Sequence, residues 1–233
     1  MKLALVTTPP SASSPVGDYT KALVRELSKL CDIEPFVEPG RDGETLEGRA
    51  TRSADTLLPR EFDQVLYQVG NERQHAFMAR MVRSLGGTVV LHDWVLFDMA
   101  LAAYPALERG GWKGHALALR EGGVEQMLTY RRHRRATKGE HVDWTSVRAK
   151  LPLNRSIVRF GDSFIVHSEH VRRLIVEDRN ALTPTGAVAH GAEHPWSIVA
   201  AKYFELLCAF PPPRTARKSL IALQIKRGLR EQT

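Results

Sequence analysis

Cysteine is nearly absent: Cys31 and Cys208 are the only two in 233 residues, and their spacing fits no metal motif. That excludes a disulfide framework and a cysteine-built zinc site, and it predicts two buried thiols in a reducing compartment. Long apolar runs are lacking too. After Lys2 the run "LALV" has four residues, too short for the core of a signal peptide, and reads as a first buried strand. The late stretch "WSIVAAKYFELLCAF" carries Lys202 and Glu205 and is too short to span a bilayer. A cytoplasmic protein without a transmembrane helix is therefore expected. The chain has no GxGxxG fingerprint, no Walker loop, no internal repeat and no low-complexity block. Acidic side chains are outnumbered, 26 against 33 Lys and Arg, for a net charge of +7. This excess favours anionic partners without choosing among phosphate groups, nucleic acid and membrane surfaces. The basic run "YRRHRRATK" has no aromatic platform or nucleic-acid motif beside it, so a solvated helix face is expected there.

What is present is an alternation of apolar strands and amphipathic helices. "KLALVTT", "DIEPFVE", "FDQVLYQVG", "TVVLHD", "DSFIVHS" and "GAVAH" read as six strands. Residues 39–60 read as an exposed polar excursion. "YTKALVRELSKL" reads as a helix with Asp18 as N-cap, and "NERQHAFMARMVRSLG" as one ended by Gly86-Gly87, with His75, Met78, Ala79 and Val82 on one side. Residues 95–150 are mostly helical, with breaks at "RGGWKG" and "REGG". Continuous β-branched runs suit strands covered on both faces, and parallel strands need helical crossovers. The expectation is an α/β, Rossmann-like open parallel sheet with helices on both faces over residues 1–193, followed by a C-terminal helix and a basic tail over 194–233.

In such sheets ligands bind beyond the carboxyl ends of the strands. Gly17, near a helix N-terminus after strand one, could let backbone N–H groups approach a phosphate, or could serve loop geometry alone. Gly70-Asn71 makes a tight exit from strand three, and His75 follows in the first helical turn, either as a site residue or as a partly buried polar one. His92 and Asp93 emerge directly from strand four. His92 could donate to a sugar hydroxyl or a developing charge and Asp93 could orient ligand hydroxyls, or the two could be a structural pair closing the strand end. His167 and Ser168 repeat the pattern after strand five, where Ser168 also suits a helix N-cap. His190-Gly191 follows strand six. Glu169 and Glu177, eight apart, are two exposed helix carboxylates.

Taken together, "PVGDYTKALVREL", "YQVGNERQHAF", "VVLHDWVL", "PLNRSIVRFGDSFIVHSEHVRRLI" and "VAHGAE" resemble, in that order, the N-terminal half of the GT-B glycosyltransferases of family GT4. The resemblance implies an acceptor-binding domain that works against a second, nucleotide-sugar-binding domain, with no metal or cofactor beyond the nucleotide-sugar donor. It implies catalytic roles for His92 and Asp93 at the cleft and substrate contacts from Gly17, Asn71, His75, His167 and Ser168. "HPWSIVAAKYFELL" resembles the helix that returns from the donor domain, so the chain is expected to carry both ends of such an enzyme without the middle. Catalysis by the chain alone is then not expected. The implied partners are an acceptor glycan or glycolipid and a separate donor domain; the tail could touch an anionic membrane, or pack its apolar residues on the first domain and leave its charges solvated. From Arg214 onward the tail carries Arg214, Arg217, Lys218, Lys226, Arg227 and Arg230 against Glu231. The other reading, independent of the resemblance, is a non-catalytic Rossmann-like module for a sugar, a phosphate ligand or a protein.

Overall fold

The computed structural model describes residues 1–137, 142–179, 182–189 and 194–215. Its strands are β1 Lys2–Val6, β2 Asp32–Val37, β3 Thr45–Leu46, β4 Arg49–Ala50, β5 Arg52–Ser53, β6 Gln64–Val69, β7 Thr88–Leu91, β8 Ser163–Val166 and β9 Thr185–Ala187. Its helices are α1 Pro15–Leu27, α2 Ala76–Leu85, α3 Phe97–Ala103, α4 Ala106–Arg109, α5 Gly111–Ala136, α6 Arg155–Phe160, α7 Glu169–Asp178 and α8 Trp196–Ala209. Seven strands form one parallel sheet in the order β5-β2-β1-β6-β7-β8-β9. This is the Rossmann-like open sheet. The chain runs outward from β1 to β2 and β5, then returns to lay β6 on the other side of β1, so the direction of winding reverses between β1 and β6.

The alternation of side chains divides the core into two layers. Leu3, Leu5, Leu66, Val90 and Ile165 face α1 and α8, meeting Leu23, Leu27, Val199, Tyr203 and Leu207. Ala4, Val6, Val65, Tyr67, Val89 and Phe164 face the other way, against Met78 and Val82 of α2, Ile157 of α6 and Ile175 of α7. A third cluster of Phe97, Leu101, Leu107, Ala118, Tyr130 and Leu153 knits α3, α4 and α5 together beyond β7. Gln64 ties α8 to the sheet: its Nε2 donates to Leu207 O at 3.0 Å and Phe210 O at 2.9 Å, satisfying carbonyls that the helix end leaves open.

Several expectations are corrected. The first helix starts at Pro15, not after Asp18: Ser14 is the N-cap, and its Oγ accepts from Gly17 N at 3.0 Å. A serine cap followed by proline at the first helical position outcompetes the later aspartate. Residues 39–60 are not wholly an excursion. They hold the β3–β4 hairpin and β5, which pairs with β2 as the sheet's edge, and they bury Leu46 and Leu57. Strand six lies earlier than "GAVAH", at Thr185–Ala187, and His190 and Gly191 fall outside the described residues. Cys31 is buried, but Cys208 is exposed on the outer side of α8. The breaks at "RGGWKG" and "REGG" do occur, the first between α4 and α5 and the second as a kink at Gly123, whose φ is 75°. Of the basic tail, only Arg214 and Thr215 are described. Arg214 is fixed to the body, donating to Asp162 Oδ2 from its backbone and to the carbonyls of Val82 and Arg83 from its side chain. Among the described residues no helix is long and apolar enough to cross a membrane.

Candidate functional site

The reversal of winding between β1 and β6 is a switch point, where open α/β sheets have their ligand crevice beyond the carboxyl ends of the strands, and the loops after β1, β6, β7 and β8 begin there. Two histidines stand there in contact. His92, one residue past β7, has Nδ1 3.1 Å from His167 Nε2, one residue past β8. Parallel in-register pairing of β7 with β8 makes this inevitable, because Leu91 opposes Val166 and the next residues leave the strands together. His92 Nε2 lies 2.8 Å from Gln68 Oε1, and His167 Nδ1 lies 3.1 Å from Val188 O. Val188 O can only accept, so His167 carries its proton on Nδ1 and, if neutral, presents a bare Nε2 to His92. With the Gln68 amide turned by 180°, its nitrogen donates to His92 Nε2, and His92 Nδ1 donates in turn to His167 Nε2.

Tyr19 of α1 walls this pair, its ring centroid 4.8 Å from His92, 5.1 Å from His167 and 4.9 Å from Trp196 of α8. Its hydroxyl lies 3.0 Å from that of Tyr203, a contact between residues 184 positions apart. Burial pushes the Tyr19 phenol up to about 12, so it stays protonated and acts as a hydrogen-bonding wall, not as a base. The far end of the chain therefore builds part of the crevice.

The second group converges on Gly70. A side chain there would stand 2.8 Å from Val16 Cγ2, 3.1 Å from His75 Cε1 and 3.3 Å from Asp93 Oδ2, so only glycine lets the three approach. His75 is fully buried, with Nδ1 3.0 Å from Gly70 O and 3.2 Å from Gly70 N. Its position makes it a support for the loop after β6, one layer below the surface. Asp93 is exposed, and its Oδ2 accepts from Asn71 N at 2.9 Å. Asn71 reaches sideways: its Oδ1 accepts from Asp98 N at 2.8 Å, capping α3, and its Nδ2 donates to Asp98 Oδ2 at 3.2 Å. Beside Asp98 a cavity of about 600 Å³ opens, lined by Arg73, Phe97, Leu101, Trp144 and Arg148 among others. A ring edged by carboxylates and guanidiniums suits a polar ligand with apolar faces, such as a sugar.

Gly17 and Ser168 are placed differently from the simplest site picture. Gly17 is the third residue of α1, and its N–H already donates to Ser14. A side chain at 17 would meet Thr8 Oγ1 at 3.2 Å and Ser14 Cβ at 3.3 Å, so the glycine serves close packing of the loop. Gly17→Ala is expected to cost about 1 kcal/mol of stability through this crowding, read as a lower urea midpoint. An unchanged midpoint would mean that the loop relaxes freely. Ser168 caps α7, accepting from Val171 N at 3.2 Å. Tyr19, Gln68 and Trp144 were not legible as site residues: they occupy a helix, a strand and a loop position, and only packing brings the first two to the histidine pair and the third to the cavity beside Asp98. Among the described residues no group of three potential ligands could hold a metal ion. The sequence matches no known protein family and no curated protein.

Proposed function

We propose that this chain is the acceptor-side half of a GT4-type glycosyl-transfer site. The observation that carries the reading is the meeting of His92, His167, Asp93 and Asn71 at the crevice where the winding of the sheet reverses. Sugar transfer needs an acceptor hydroxyl held and polarised while a diphosphate leaves. In this reading His92 gives up its contact with Gln68 and takes the hydrogen bond from the hydroxyl at Nε2 while its Nδ1 stays on His167, and Asp93 orients a neighbouring hydroxyl. The cavity beside Asp98 and Trp144 houses the acceptor glycan or the head of a glycolipid. In this reading a separate donor domain grips the nucleotide sugar from across the crevice.

A second reading, a non-catalytic sugar-binding module, is favoured by two details: the Gly17 N–H is committed to Ser14 and so is not offered to a donor diphosphate, and His75 is buried. Both readings predict no sugar transfer by the purified chain with UDP- and GDP-sugars, and robust turnover by the chain alone would refute them. Ligand-observed NMR with a panel of free sugars and nucleotide sugars is expected to detect free-sugar binding that His92→Ala weakens about tenfold, the worth of one good hydrogen bond to a polar ring. Equal binding by wild type and His92→Ala would remove the histidine pair from the site under either reading. Restoration of turnover by an added donor domain selects the first reading over the second.

A further inference from the structure

A second concentration of chemistry lies at the opposite end of the sheet. Arg83 and Arg159 occupy the last turns of α2 and α6, just before β7 and β8 begin. Arg120 comes from the middle of α5 and Arg155 from the first turn of α6. With Ser156 and Phe160 these four arginines line a cavity of about 310 Å³.

Helix dipoles explain only half of this. A cation in the last turn is favourable, which accounts for Arg83 and Arg159. The same dipole opposes Arg155 in a first turn and is indifferent to Arg120 in mid-helix. Ion pairing does not explain the rest. Among the described residues Glu121, 2% exposed, is the one carboxylate bonded into the group, accepting from Arg120 Nε at 2.7 Å, Ser156 Oγ at 2.8 Å and Ser156 N at 3.3 Å. That bond fixes Arg120 through Nε and leaves its terminal nitrogens without a protein partner among the described residues. Arg83, Arg155 and Arg159 form no salt bridge and donate no side-chain hydrogen bond among the described residues.

The guanidiniums are nonetheless held in place. Arg83 and Arg159 lie 5.6 and 5.8 Å from the centre of the Phe160 ring, and Arg120 lies 4.5 Å from that of Tyr104. Arg155 runs over Gly123 at the kink of α5, where an added side chain would stand 3.3 Å from Nη1. Four always-protonated groups converging on one cavity repel each other, and that repulsion is relieved by an anion between them. Planar guanidinium forks match phosphoryl oxygens in pairs.

We propose that this cavity binds a phosphorylated anion, with Arg83, Arg120, Arg155 and Arg159 donating to its phosphoryl oxygens. The proposal stands apart from the glycosyl-transfer reading and from the crevice at the other end of the sheet. A phosphomonoester on a free metabolite and one on a lipid headgroup present the same oxygens, so the test has two arms. In the first, inorganic pyrophosphate is titrated into the full chain by calorimetry at low and at physiological salt, with melting temperature followed in parallel. In the second, the chain is sedimented with phosphatidylcholine vesicles with and without phosphatidic acid.

Pyrophosphate is expected to bind and to raise the melting temperature of the wild type. Arg155→Gln should weaken binding about tenfold, as loss of one charge-assisted pair does, and the triple variant R83Q/R155Q/R159Q should abolish it. Without pyrophosphate the triple variant should melt close to the wild type, because relief of the mutual repulsion offsets loss of the contacts with the Phe160 ring. If it fails to fold, Arg155→Gln alone decides. Binding in the first arm only assigns a free metabolite, and Arg155-dependent sedimentation with phosphatidic acid assigns the headgroup. No binding in either arm, or equal binding by wild type and arginine variants, overturns the proposal.

Discussion

Tyr203→Ala is expected to lower stability by about 3–5 kcal/mol, the range for truncating a fully buried aromatic side chain. Tyr203 is buried in the layer formed by Leu5, Leu66, Val90 and Ile165, and it belongs to α8, the last described helix. Two mechanisms add. The first is the cavity left among Leu23, Val199 and Leu207. The second is loss of the 3.0 Å contact with the Tyr19 hydroxyl. Tyr203→Phe separates them, since it keeps the ring and removes the hydroxyl, and should cost only about 1 kcal/mol. Urea denaturation of the three proteins checks the partition. A small loss for Tyr203→Ala would mean that α8 is dispensable to the core. Because Tyr19 also walls the histidine pair, Tyr203→Ala should further broaden the His92 and His167 ring signals in NMR spectra.

The second large effect concerns acid. Burial holds the His75 imidazole below its ordinary value of 6.5, against the smaller opposing pulls of Glu72, the Gly70 carbonyl and Asp93. The unfolded chain takes up a proton at His75 near 6.5, whereas the folded chain resists until lower pH. Below 6.5 the unfolded state therefore binds more protons, so stability falls as pH drops, and above it His75 adds no pH dependence. His75→Leu should cost about 1–3 kcal/mol at pH 7.5, where the bond to the Gly70 loop is lost. The deficit should shrink as pH falls, because the variant has no buried imidazole to protonate. Urea midpoints from pH 8 to 5 give the comparison, and parallel curves for the two proteins would show that His75 does not carry the acid sensitivity.

Much of the fold was legible because burial on both faces writes itself into composition. "VLYQV", "TVVL" and "SFIV" could only be strands with helices on either side, and the β6-to-β9 half of the sheet follows from their order. Short-range competition misplaced Asp18. A capping aspartate and a serine-proline pair four residues earlier are both reasonable starts, and the choice depends on how the loop after β1 packs on Gly17 and Thr8. The edge strand β5 was invisible, since two residues, Arg52 and Ser53, carry no period at all and pair only because β2 is there to receive them.

The candidate site divides in the same way. His92 and His167 each follow a buried strand, and that much is local. Their contact needs the register between β7 and β8, their enclosure needs Tyr19, and Tyr19 in turn needs Tyr203 from the far end of the chain. Likewise the sequence marks "REGG" as a break and Arg155 as a charge, but not that the kink at Gly123 lets Arg155 join Arg83, Arg120 and Arg159 around one cavity. By itself the sequence determined the alternation of elements, their parallel stacking and which residues leave the strand ends, because hydrophobic periodicity and capping act over a few residues. Only the tertiary structure decided which of those residues touch, because long-range packing brings together positions between which the sequence carries no period.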